Sequence, residues 1–123
     1  MELYNKDQIE LLEAHNVARS KSWFSKKPLV LDKTLNEYAM NWATTMASKD
    51  RLYHSSMRDI LSLGFSRAGE NIAWGQESSE EVMRSWMRSL GHRANILSTK
   101  FTKMGVGIKE RDGKKYWCVV FAA

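Results

Sequence analysis

His15, His54 and His92 are the three histidines of the chain. Acid-base or metal chemistry near neutral pH must therefore draw on them, together with a few carboxylates. His54 follows Tyr53 and precedes Ser55-Ser56, a loop-like setting in which an imidazole is accessible. His92 follows Gly91, and Glu70 stands between Gly69 and Asn71, where a glycine and a turn-prone Asn can hold a carboxylate in a fixed direction. The 38-residue interval between His54 and His92 is unlike the local ligand spacing of a zinc motif. No G-x-S-x-G elbow or H-E-x-x-H helix occurs, so Ser55, Ser56 and Ser89 read as surface or capping serines. His15 reads as a hydrogen-bonded structural histidine. Arg19, four residues later on the same helix face, is able to pair with a carboxylate and pin the helix.

These residues need elements to hold them. Leu11, Ala14, His15 and Ala18 share one face of a helix expected over about Asp7 to Arg19. Leu35, Tyr38, Ala39, Trp42, Ala43, Met46 and Ala47 repeat that spacing in a second helix, with Thr34 and Glu37 as its expected capping box. A third opens on a Ser78/Glu81 capping box, sets Val82, Trp86 and Leu90 on one face, and is expected to stop at Gly91. The period then changes. Met104 to Ile108 alternates, Asp112-Gly113 predicts a hairpin turn, and Tyr116 to Phe121 is an aromatic and β-branched run. A short strand is expected over Asn71 to Trp74, between the turn-forming Gly69 and Gly75. Helices followed by a hairpin predict an α+β domain in which helices cover a small antiparallel sheet.

The 123 residues are the size of one domain, and no linker or repeat divides them, so residues 1–123 are read as a single unit. Hydrophobic residues at 43% and charged residues at 27% argue against disorder and low-complexity architectures. No apolar run approaches the length of a membrane span. Met1 to Asp7 is polar, so the chain is expected to carry no export signal of its own. The net charge of +5 is scattered, with Lys26-Lys27 and Lys114-Lys115 the adjacent pairs, which favours anionic partners weakly and argues against nucleic acid. The lone Cys118 lies in an apolar run and reads as a buried structural thiol.

Three segments taken in order are more specific: Leu11 to Arg19 (LLEAHNVAR), Gly69 to Gly75 (GENIAWG) and Ser85 to Leu97 (SWMRSLGHRANIL). Together they resemble the CAP superfamily, the SCP-like domain of cysteine-rich secretory proteins, antigen 5 and pathogenesis-related 1 proteins. The match is nearest its compact bacterial branch. Pro28 to Leu35, Phe101, Met104-Gly105-Val106-Gly107 and Tyr116 to Ala122 also look like family positions, so the resemblance spans nearly the whole chain.

The resemblance implies an α-β-α sandwich with a central cleft holding two histidines and two acids, in which the histidines of several members bind a divalent metal. Carried onto this chain, His54, Glu70 and His92 match three of the four positions and are the candidate catalytic residues, with His54 and His92 the candidate ligands for Zn2+ or another divalent cation. Ser89 stands where many eukaryotic members have the second Glu. Glu81 is no substitute, since it lies eight residues earlier, about 12 Å along a helix, and with Glu80 it reads as a capping and dipole residue. Asn16, Arg19, Asn71, Arg93 and Asn95 read as structural polar residues that tie helices to loops by hydrogen bonds.

Three functions are expected from this set. The first is a binding module, extracellular by resemblance and monomeric, whose cleft holds a metal, a small ligand, a lipid or a protein. The second is a peptidase-like hydrolase in which Glu70 or a histidine activates water. The third is an interaction domain for anionic envelope or cell-wall polymers.

Overall fold

A computed structural model describes residues 4–24 and 27–123. Its elements are α1 (Lys6–Ser20), β1 (Val30–Leu31), α2 (Lys33–Lys49), α3 (Met57–Leu61), β2 (Ala68–Trp74), α4 (Ser79–Met87), α5 (Leu90–Leu97), β3 (Lys103–Arg111) and β4 (Lys114–Ala122). The four strands form one sheet in the order β1-β3-β4-β2. The β3-β4 hairpin turns on Asp112-Gly113, both at positive φ (49° and 80°), the backbone that a two-residue turn between twisted strands requires.

β4 explains the layering. Its apolar run does not alternate with polar residues because both faces are covered. Trp117, Val119 and Phe121 enter one core with Leu11, Trp86, Ile96, Met104 and Val106. Tyr116, Cys118, Val120 and Ala122 enter a second core with Leu35, Ala39, Ala43, Met46 and Ile60. Helices α1, α4 and α5 thus cover one face, α2 and α3 the other, giving the expected α-β-α sandwich.

Four expectations are corrected. β1 was not foreseen and pairs parallel to β3, so the sheet is not wholly antiparallel. Two residues carry too little periodicity to announce a strand. β2 extends back to Ala68 because Gly69 and Glu70 pair with β4 at Phe121 and Val120. Asp32, not Thr34, caps α2, accepting from the Leu35 amide at 2.9 Å. The third expected helix is two: α4 ends at Met87, and Ser89 is the N-cap of α5, with Gly91 inside it. Leu90, expected on the buried face, is 86% exposed.

Arg19 is the structural polar residue expected, and the alternative of a carboxylate partner is not realised among the described residues. It is 1% exposed. Its guanidinium donates to the carbonyls of Lys27 (3.0 Å), Ile96 (3.0 Å), Ser98 (2.7 Å) and Phe101 (3.4 Å). It thereby ties α1 to the C-terminal end of α5, where a cation also meets the favourable end of the helix dipole. Burial lowers its pKa from the ordinary value.

Candidate functional site

Each residue of the site is set by a different element. His54 lies in the segment between α2 and α3, which is pinned on both sides. Trp42 Nε1 donates to the Tyr53 carbonyl at 2.9 Å and the two rings meet edge to face at 4.7 Å. On the far side, the Tyr38 hydroxyl donates to the Ser56 carbonyl at 3.3 Å. Glu70 is on β2, its side chain 1% exposed, because strand alternation points it into the second core beside Cys118.

His92 sits in the first turn of α5. Asn71 is fully buried and fixes that turn, donating through Nδ2 to the His92 carbonyl at 3.0 Å. Its Oδ1 accepts from Asn95 Nδ2 at 2.9 Å, and Asn95 also reaches the Glu70 carbonyl at 3.3 Å. Asn71 and Asn95 thus lace β2 to α5, as expected of structural polar residues.

His54, Glu70, Ser89 and His92 line a single cleft of about 340 Å3, with Asn71, Gly91 and Asn95. Glu70 is saturated. Oε1 accepts from His54 Nδ1 at 2.8 Å and from the Ser55 amide at 2.9 Å, while Oε2 accepts from the Ser55 hydroxyl and from Cys118 Sγ at 3.8 Å. Ser55, read from sequence as a surface or capping serine, is therefore the residue that fixes this carboxylate. Its adjacency to His54 was the available signal. Burial, then the neighbouring Glu70, pushes the Cys118 thiol well above its ordinary pKa, so it stays a neutral structural donor.

Ser89 is the second residue whose role needed the fold. Its hydroxyl caps no amide of α5. It lies 2.8 Å from His92 Nδ1 instead, and the His92 ring tilts against Trp86 at 6.5 Å. Burial, and then the proximity of His54, lower the His92 pKa below its ordinary value, which favours a neutral imidazole.

Both histidines are thus engaged at Nδ1. A carboxylate can only accept from His54 Nδ1, so in the neutral imidazole the proton sits there and the lone pair is on Nε2. Such an arrangement is common to metal-ligating histidines, whose second nitrogen is held by a carboxylate or another acceptor. Among the described residues, no group of three or more His, Cys, Asp or Glu is placed to hold a metal ion. The cleft offers two imidazoles, with Glu70 behind one of them and not beside it.

The family model of the cysteine-rich secretory proteins, CAP, matches residues 12–121. The chain belongs to this family. YkwD of Bacillus subtilis (strain 168) is 39% identical over 115 residues, covering 87% of this chain and 43% of that protein. The chain spans half or less of the length of the sequence relatives it matches. Among solved structures, an outer surface protein from Borrelia burgdorferi superposes with a TM-score of 0.84 at 22% identity, over 99% of this chain and 96% of that one. The structure of NaASP2 with Zn2+ superposes with a TM-score of 0.74 at 16% identity, over 98% and 83%. At these identities the two structures establish the CAP fold of this chain.

Proposed function

We propose that the chain is a secreted-type CAP binding module whose cleft takes a divalent cation, with a small ligand able to complete the coordination. His54 and His92 would hold the ion through Nε2. Bound there, the ion would supply positive charge and open coordination positions for an anionic or carbonyl-bearing ligand. The observation that carries the reading is the pairing of each Nδ1 with its own partner, Glu70 for His54 and Ser89 for His92. This orients both rings before any ligand arrives. The likeness to the fold of NaASP2, solved with Zn2+, is in keeping with it.

A hydrolase in which Glu70 activates water is less well supported. Its carboxylate is almost wholly buried and already accepts from four donors, so it serves better as an anchor for His54 than as a base facing the cleft. Membership of the family of cysteine-rich secretory proteins supports an exterior role, and the fold likeness to an outer surface protein is in keeping with it.

The test is calorimetric titration of zinc into chelator-treated protein at neutral pH. Wild type is expected to take up one equivalent. The His54→Ala/His92→Ala variant should bind at least about tenfold more weakly, the scale of losing orienting or ligating groups. No uptake by wild type, or equal uptake by both, overturns the reading.

A further inference from the structure

A second surface lies on the opposite side of the sheet from α2, where α1 runs into the segment before β1. Trp23 and Phe24 are adjacent there, 90% and 84% exposed. Large aromatic rings usually bury most of their area in a core or an interface, so two side by side in water mark an interaction site. They line a groove of about 700 Å3 together with Ala18, Met83, Met87 and Leu97 of α1, α4 and α5. Val17, also in the lining, is exposed, and so is Leu90, which shares a face of α5 with Leu97.

The charged residues of the lining are all cations: Lys21, Arg84 and Arg93. Arg84 is paired with Glu80 at 2.9 Å. Among the described residues, Lys21 and Arg93 have no carboxylate within ion-pair distance. Apolar rings beside uncompensated cations complement a partner that is apolar within and anionic at its surface.

We propose that this face docks on an anionic lipid bilayer, with Trp23 and Phe24 entering the headgroup region and Lys21 and Arg93 facing the lipid phosphates. Trp is favoured at that depth because its ring is amphipathic. Lys and Arg stems lie along apolar surface while their charged ends stay in the polar layer, and each adds attraction to an anionic leaflet. A folded protein partner fits less well, since a stable protein interface takes about 800 Å2 from each side and the exposed aromatic area is confined to two neighbouring rings. The groove shares no lining residue with the cleft of His54 and His92, so the two sites can be tested separately.

The experiment is co-sedimentation of the wild-type chain with vesicles of phosphatidylglycerol and phosphatidylcholine in equal parts, and with phosphatidylcholine alone, at low and high salt. Quenching of tryptophan emission by nitroxide-labelled lipid is read in parallel. Wild type is expected to bind the anionic vesicles, to be released by salt, and to show quenching that Trp23→Ser abolishes. Trp23→Ser/Phe24→Ser and Lys21→Glu/Arg93→Glu should each weaken partitioning by at least about tenfold. The altered side chains lie on the surface or its groove, so an unchanged thermal midpoint will verify the fold. Failure of wild type to bind anionic vesicles overturns the proposal, as does binding that the aromatic variant retains. Uptake of monomeric fatty acid without vesicle binding would also overturn it, by assigning the groove to a single soluble amphiphile.

Discussion

At the scale of single residues, the position that governs the cleft is Ser89. The resemblance sets an acid there in many family members, and a serine in its place leaves the cleft one carboxylate fewer to attract the proposed cation. The structure gives the serine a different role, because its oxygen can accept the proton of His92 Nδ1 and leave Nε2 free. Ser89→Ala should then weaken zinc binding by about tenfold or more, as loss of an outer-shell partner does. It should leave stability within about 1 kcal/mol, because the hydroxyl is only half-buried. Zinc calorimetry beside a thermal melt separates these effects, and equal zinc affinity in the two proteins would remove Ser89 from the site. Glu70→Ala differs in kind. It strands the Ser55 amide and hydroxyl as well as His54, and should lower both zinc affinity and stability, the latter by about 1 to 3 kcal/mol. Glu70 and His92 were legible as candidates because each sits in one of the ordered motifs, and His54 because it is one of three histidines and stands in an accessible loop before two serines. The Ser55 and Ser89 contacts were not, because a serine's partner is set by which loop folds against it.

At the scale of elements, the close seating of α2 on β3 rests on two glycines. A Cβ at Gly105 would collide with the Leu35 carbonyl, and one at Gly107 with the Ala39 carbonyl. The pair sits on the β3 face turned toward α2, at the alternate positions i and i+2 that share one side of a strand. Since both obstacles are backbone, neither can turn aside. Gly105→Ala should cost about 3 kcal/mol or more, by forcing the helix off the sheet. Gly91 is the internal control: it lies in the first turn of α5 with open space around it, so Gly91→Ala should be neutral or stabilising by up to about 1 kcal/mol. Urea unfolding of the two variants decides the point, and equal midpoints would refute the packing argument. The alternation of Met104 to Ile108 announced a strand but not which face would meet a helix. The break between α4 and α5 was illegible for a related reason. Trp86 and Leu90 are spaced as one helix face, and only the bonds that Asn71 of β2 and Asn95 of α5 make between those two elements show why the chain turns at Arg88 to bring His92 to the cleft.

At the scale of the whole molecule, the layer order was readable through the family resemblance, and the apolar run from Tyr116 to Ala122 of β4 agrees with it by demanding cover on both faces. The cost of that cover was not readable, and His15 carries part of it. It is fully buried against Trp86 and Phe121. Its Nδ1 is 2.7 Å from the Leu11 carbonyl, and Nε2 has no hydrogen-bond partner among the described residues. Burial, opposed in part by the Leu11 bond and aided by Arg19, lowers its pKa from 6.5 to about 4. A histidine whose folded pKa is depressed contributes stability above its unfolded value and loses it as pH falls. The unfolded chain takes up the proton below about 6.5, and the folded chain follows only near 4. Stability should thus decline by roughly 3 kcal/mol across that window on account of His15 alone, at 1.36 kcal/mol per unit, and level off below it. His92, also depressed by burial, adds a decline of the same sign. In His15→Gln the side chain cannot titrate, so subtracting its urea stability from that of wild type between pH 7 and 4 isolates the His15 share. The difference should shrink steadily as acid is added. A difference that stays constant with pH would mean that the buried ring takes up its proton in the folded state as readily as in water, and that burial in this core carries no electrostatic cost.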